Sequence, residues 1–171
     1  MSDDAPFWTL LRSEVGWLHR QLRRLGVGEG DLDDVAQEVL IAMHRRWADY
    51  DRTRPLRAWA FGFALRCAAD HRKKTGRRPT SVPLDDHAAV ADAKEPSEQL
   101  EDHARRALLI RALDQLDLGK RAILTLVDLE EMTVPEAVTV LEIPLNTGYS
   151  RLRAARAELA DAVRALSKEQ S

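Results

Sequence analysis

Asp31-Leu32-Asp33-Asp34-Val35-Ala36-Gln37-Glu38-Val39 reads as the start of an amphipathic helix. Asp31 is a good N-cap, and acids in a first turn favour the positive end of the helix dipole. Val35, Val39, Leu40, Met43 and Trp47 follow at three- and four-residue spacing and form the apolar face. Asp34, Gln37 and Glu38 stand at i, i+3 and i+4, so they share a different face. That face offers carboxylates and an amide to a basic partner. A plain solvated helix face would carry the same residues.

Working outward, Phe7, Leu10, Leu11, Val15, Leu18 and Leu22 predict a helix over 6–24, and Gly26, Gly28 and Gly30 mark a loop. Downstream, 49–54 reads as a connector, and Pro55 suits the opening of a third helix. Leu56, Trp59, Phe63, Leu65 and Ala69 are its partly buried positions, and it ends in the basic run His71-Arg72-Lys73-Lys74. Residues 79–96 change character: prolines, small residues and clustered acids describe a linker without a core. A second helical block starts near Ser97, with one amphipathic helix through Leu116 and another over 118–129. Thr133 then caps a short helix to about Leu141, with Glu136 placed for a capping box. Glu142-Ile143-Pro144 is a break, and a last helix runs from Asn146 to Leu166. Short helix, tight turn and longer helix is the helix-turn-helix plan.

Composition agrees with an all-α fold. Ala, Leu, Arg, Asp and Glu dominate; hydrophobic residues make up 44% of the chain and charged residues 32%. The net charge of −2 conceals an asymmetry. Residues 1–80 carry +4, residues 81–104 carry −6, and residues 105–171 are neutral. Nucleic acid therefore stays in play as a partner of the first block. No apolar run approaches the roughly 20 residues of a membrane span, and Met1-Ser2-Asp3-Asp4 lacks a secretory signal pattern. A cytoplasmic protein is expected. Cys67, the only cysteine, rules out an intrachain disulfide and a cysteine metal cluster, and reads as a small buried residue. The histidines show no metal spacing and no Gly-rich phosphate loop occurs, so neither an enzyme nor a cofactor is expected.

Three stretches, in this order, resemble the ECF (extracytoplasmic function) group of bacterial RNA polymerase sigma factors. Residues 31–39 are similar to that group's polymerase-binding helix, written acid, acid, aliphatic, any residue, Gln-Glu. Arg54-Pro55-Leu56-Arg57-Ala58-Trp59, followed by Asp70-His71-Arg72-Lys73-Lys74, resembles the helix that melts and reads the −10 element. Ile143-Pro144 through Ser150-Arg151-Leu152 and Arg156 resembles the recognition helix for the −35 element. The likeness covers nearly the whole chain, and its length and spacing match a group that keeps only regions 2 and 4.

The resemblance implies two small helical domains joined by an acidic flexible linker: region 2 over 1–78, linker over 79–96, region 4 over 97–171. It implies that Asp34, Gln37 and Glu38 meet the clamp coiled coil of core RNA polymerase. It assigns Arg57, Trp59, Arg66, Asp70, Arg72, Lys73 and Lys74 to −10 DNA, and Asn146, Thr147, Tyr149, Ser150, Arg151 and Arg153 to −35 DNA. The chemistry suits both roles. Lys and Arg neutralise phosphates, aromatics stack on unpaired bases, and arginine bonds phosphate or guanine. Trp59 and Phe63, at i and i+4, share a face that serves as core equally well. An anti-sigma factor is a further implied partner. A small-molecule substrate and direct membrane insertion are not implied.

Several positions depart from the family pattern. Arg66 stands where asparagine is frequent, Glu142 where the turn usually has glycine, and Val138 where a small residue permits close helix packing. Gly148 falls inside the recognition helix, at an expected cost of roughly 1 kcal/mol relative to alanine. Tyr149 replaces an often basic residue, Pro135 must lie in a first turn, and Leu118-Gly119-Lys120-Arg121 replaces the usual Pro-x-x-x-Arg turn. Together they predict that −35 reading suffers more than the fold. Two other readings stay open: a stand-alone helix-turn-helix regulator, and an adaptor that binds polymerase or an anti-sigma factor with degenerate DNA reading. The Gln37-Glu38 helix argues against the first of these.

Overall fold

The computed structural model describes residues 5–76 and 96–169. Every regular element among them is helical. The first unit holds α1 (Ala5–Arg12), α2 (Val15–Arg24), α3 (Leu32–Arg45) and α4 (Leu56–Thr75). The second holds α5 (Pro96–Leu113), α6 (Leu118–Leu124), α7 (Val134–Leu141) and α8 (Leu145–Glu169). The expected linker lies, but for Pro96, outside the described residues.

Helix periodicity places the cores. In the first unit α2, α3 and α4 pack on one another, burying Leu22, Val39, Met43, Phe61 and Ala64 completely. Phe7 of α1 joins them, edge-on to Trp47 at 5.1 Å. In the second, α5 and α6 pack on α8, and Leu113, Ile123, Ala137 and Ala155 are fully buried. The two cores are continuous. α4 packs against α7, and α2 against α5.

The helix ends follow local chemistry. Gly26, at φ 91°, closes α2 with bonds from its own N–H to the Arg23 carbonyl (3.0 Å) and from Val27 to the Leu22 carbonyl (3.0 Å). The expected capping box is present: Thr133 Oγ1 accepts from the Glu136 N–H, and the Glu136 carboxylate accepts from the Thr133 N–H at 2.8 Å. The Thr133 hydroxyl also donates to that carboxylate at 2.6 Å, and this bond first, with the Thr133 N–H second, holds the Glu136 carboxyl below its ordinary pKa. Glu142 takes the left-handed conformation, φ 54°, that its place in the turn demands.

The structure differs from expectation at three points. The helix expected over 6–24 is broken at Ser13, whose hydroxyl donates to the Leu10 carbonyl at 3.1 Å. Asp31 precedes α3 without a side-chain cap; its carboxylate lies 3.3 Å from His71 of α4. The helix expected over 118–129 is α-helical only to Leu124, and Thr125–Leu129 forms a wider π turn closed by Glu130 N–H to the Thr125 carbonyl at 2.9 Å.

Where the units meet, the Arg121 side chain is 1% exposed. Its guanidinium donates to Asp114 Oδ1 at 2.5 Å and the Leu116 carbonyl at 3.3 Å, and lies 3.5 Å from the Arg24 carbonyl. Burial pulls its pKa down, and the Asp114 carboxylate opposes that shift. Gly26 makes room: a Cβ there would stand 2.2 Å from Arg121 Nη1.

Gly26→Ala combines a left-handed backbone with that clash, so it should lower the unfolding free energy by about 1–3 kcal/mol. Gly30 faces open space, with nothing within 4 Å of a built Cβ. Gly30→Ala should change stability by less than about 0.5 kcal/mol. Urea unfolding of the two variants checks the contrast.

Candidate functional site

Three surfaces carry the residues singled out in the sequence. On α3, Leu32, Val35, Ala36, Val39 and Met43 turn inward. Asp34, Gln37 and Glu38 are exposed on the opposite face. Ile41, one turn further on, is 44% exposed and extends that face with an apolar side chain. The structure therefore brings the three residues together and adds a fourth, which periodicity alone left unremarked.

On α4, residues 59, 63, 66 and 70 follow one another at three- or four-residue steps, with 73 and 74 three and four residues beyond 70, and form a continuous stripe. Arg66, Asp70, Lys73 and Lys74 are exposed along it. The guanidinium of Arg66 covers the Phe63 ring at 5.0 Å. Trp59 lies edge-on to Phe63 at 4.8 Å and against Tyr50 at 4.7 Å, while Tyr50 stacks on Trp47 at 5.3 Å. The stripe thus begins in a half-buried aromatic row and ends in a basic turn. Burial raises the Tyr50 pKa, and its hydroxyl donates to the Arg54 carbonyl at 2.7 Å. The connector is shaped further by Asp51, whose carboxylate accepts from the Thr53 N–H and hydroxyl.

Arg57 and Arg72 lie off this stripe. Arg57 pairs with Glu14 at 2.7 Å and covers the Trp17 ring at 5.7 Å. Arg72 turns toward the second unit, its guanidinium beside Gly26 and close enough to Arg121 to lower the latter's pKa. Phe61 is fully buried core. Cys67 is half-buried, and its thiol pKa is raised by burial first and by the Glu38 charge second.

α7, the Glu142 turn and α8 make the helix-turn-helix. Asn146, Tyr149, Ser150 and Arg153 are exposed on one side of α8, Tyr149 being 49% exposed. Thr147 is half-buried, and its carbonyl accepts from the Ser150 hydroxyl at 3.1 Å. Arg151 turns inward: its guanidinium lies 3.1 Å from where a Cβ of Gly119 would stand. Burial pushes the Asp117 carboxyl up, but the bonds from the Lys120 N–H and ammonium outweigh it and hold the pKa below the ordinary value, with the Arg151 charge adding least. Arg156 is paired with Asp128 at 2.6 Å.

Two departures read separately in the sequence prove to be one feature. A Cβ at Gly148 would fall 2.2 Å from Val138 Cγ1. Gly148 is therefore the hollow into which Val138 packs, and α7 approaches α8 closely with the small and large residues exchanged. No local sequence signal links positions 138 and 148; only the helix pairing does.

Two family models match the chain: Sigma-70 region 2 over residues 10–78, and Sigma-70 region 4 over residues 106–159. The RNA polymerase sigma factor CnrH of Cupriavidus metallidurans is 31% identical over 149 residues, which are 83% of this chain and 78% of that protein. The chain is an ECF sigma factor. The ECF RNA polymerase sigma-E factor of Escherichia coli is 24% identical over 148 residues, 82% of this chain and 78% of that one. The solved structure of CnrH in complex with the cytosolic domain of CnrY superposes with a TM-score of 0.66 at 27% identity, over 96% of this chain and 91% of that chain. The sigma factor RpoE, solved with the anti-sigma factor NepR from Bartonella quintana, superposes at 0.71 with 17% identity, over 93% and 97% of the two chains, and shows the shared fold. Sigma factors are non-enzymatic initiation factors of transcription, and region 4 is their DNA-binding helix-turn-helix. No described helix is long and apolar enough to cross a membrane.

The swapped packing has a measurable signature. Gly148→Ala alone should cost about 1–3 kcal/mol through overpacking. In a Val138→Ala background the same change should be neutral or stabilising, since alanine is the better helix former by roughly 1 kcal/mol. A double-mutant cycle by chemical denaturation should show coupling of about 1–3 kcal/mol; additive effects would mean the two helices do not interlock here.

Proposed function

We propose that this ECF sigma factor docks on the clamp coiled coil of core RNA polymerase through Asp34, Gln37 and Glu38, and directs promoter-specific initiation in the cytoplasm. The observation that carries this reading is that the exposed acid-and-amide face of α3 and the aromatic-to-basic stripe of α4 lie on two helices packed directly against each other. A stand-alone DNA-binding regulator has no use for the first face. Polymerase held on α3 brings melted DNA beside α4.

In this reading the division of labour follows 1–78, 79–96 and 97–171. Trp59, Arg66, Asp70, Lys73 and Lys74 form the −10 surface: the aromatic end offers a stacking platform and the basic end meets phosphates. Arg57 and Arg72, placed off the stripe, serve it indirectly, by fixing the end of α2 and the junction with the second unit. On α8, Asn146, Tyr149, Ser150 and Arg153 reach the −35 major groove, and Thr147 and Arg151 support them from the flank. The fit of Val138 against Gly148 supports an intact helix-turn-helix over a degenerate one. An anti-sigma factor is the expected controller, in keeping with the complexes in which the two structural relatives were solved.

Run-off transcription with sigma-free core polymerase from the source organism, on a genomic promoter library, tests the whole reading. The native chain should give promoter-specific transcripts that Gln37→Ala/Glu38→Ala abolishes without loss of helical content. Absence of polymerase binding by the folded native chain would sink it. Within the same assay Arg153→Ala should weaken upstream-element use by about 1–3 kcal/mol, if it contacts a base edge, and Arg151→Ala should act mainly through stability. Lys73→Ala should lower the salt dependence of promoter-complex formation by about one phosphate contact.

A further inference from the structure

We propose that the recognition helix reads a thymine by its C5 methyl group, through Leu145 and Tyr149. Both side chains are exposed, Leu145 by 44% and Tyr149 by 49%. They stand at i and i+4 in the first two turns of α8, so they form one apolar row. Asn146 and Ser150, also exposed, form a polar row beside it, and the exposed Arg153 follows both. These first turns are the part of a recognition helix that reaches base edges in the major groove. The inference rests on the −35 reading of α8 given above and names the base feature that α8 selects.

An exposed apolar side chain taken singly needs no explanation. Leu100 of α5, at 72%, is such a case. Leu145 differs in its placement. It precedes Leu152 by about two helical turns, and Leu152 is buried with Ala155 in the core beneath α8. The same register would bury Leu145 as well. Side chains tilt toward the N-terminus of their helix, and Leu145 is the first residue of α8, so its side chain projects past the packed stripe. Val138 of α7 fills the hollow at Gly148, and the neighbouring Tyr149 is left outward. Two apolar side chains thus face outward where the helix meets its target.

The chemistry of the groove supplies the target. Among the four bases only thymine presents a methyl group on its major-groove edge, and apolar side chains recognise it. Leucine has neither donor nor acceptor, so at a base edge it selects for that methyl alone. The Tyr149 ring adds a second apolar wall, with its hydroxyl at the tip. Asn146 stands next to Leu145 and carries the amide that bonds adenine N6 and N7 bidentately. The pair of rows therefore fits a step containing A·T, with the methyl as its apolar mark and the adenine edge as its polar one. Burying one methyl is worth about 0.8 kcal/mol, or about fourfold in affinity.

Deoxyuridine pairs as thymine does and lacks only the methyl. On a promoter recovered by run-off transcription, each thymine of the upstream element is replaced by deoxyuridine in turn, and equilibrium binding of the reconstituted holoenzyme is measured at fixed salt. With the native chain, one such replacement should weaken binding about fourfold. In Leu145→Ala holoenzyme the same replacement should cost nothing measurable. Tyr149→Ala should shrink the penalty and Tyr149→Phe, which keeps the ring, should preserve it. Leu100→Ala, the loss of an exposed leucine elsewhere in the same unit, should preserve it too. The proposal is overturned by an upstream element without thymine, or by native binding that no replacement weakens. A penalty that persists in both Leu145→Ala and Tyr149→Ala would overturn it as well, since the methyl would then act through DNA shape. Failure to recover a promoter would sink the sigma reading, and binding indifferent to the upstream sequence would sink the −35 reading, each taking this inference with it.

Discussion

Burying the Arg121 guanidinium constrains more of this molecule than any other single contact. A charge taken out of water costs several kcal/mol unless its donors are satisfied. Here the satisfaction comes from Asp114 and the Leu116 carbonyl in the turn after α5, with the Arg24 carbonyl at the C-terminal end of α2 beside them. Those groups sit on separate stretches of chain, so α2, α6 and the end of α5 must arrive together. The negative end of the α2 dipole favours the same arrangement. Gly26 is the geometric condition for it, since its missing side chain is the space the guanidinium enters. The packing of α5, α6 and α8 on one side, and of α2, α3 and α4 on the other, meets at this point.

Against that junction, the faces of α4 divide the work. One face carries the stripe from Trp59 to Lys74 and remains open. Others are spent on the core through Phe61, Ala64 and Ala68, on the tie from Arg57 to Glu14, and on the approach of Arg72 to the second unit. A basic residue on α4 is therefore not a DNA contact by virtue of its charge. Its position around the helix axis decides. The same holds on α8, where Arg153 faces outward while Arg151 leans on Gly119 and Arg156 is held by Asp128.

Helix positions were legible in the sequence because their signals are local. Periodicity of apolar residues found all the long helices, and Thr133 with Glu136 announced a cap that is present. Glu142, read as an awkward turn residue, does take the left-handed backbone. Features that depend on partners far along the chain were not legible. The fit of Val138 into Gly148 looked like two defects. The break at Ser13 hid inside a good amphipathic pattern. The π turn at Thr125–Leu129 leaves the apolar spacing nearly intact, and the bonds from Trp17, Gln21 and Arg24 to Glu130 join residues more than a hundred positions apart. The acid-and-amide face of α3 was legible because a single helix builds it. The junction was not, because it takes two units.

The tryptophans are distributed unevenly. All four, at positions 8, 17, 47 and 59, belong to the first unit, and the second has none. Trp47 and Trp59 sit in the aromatic row at the start of the α4 stripe, while the indole N–H of Trp17 is bound across the junction. Tryptophan fluorescence of this chain, excited apart from Tyr149 on α8, is therefore a one-sided signal. Its emission follows the first unit and one hydrogen bond to the second, so the native chain carries an optical gauge of its own junction without any added label.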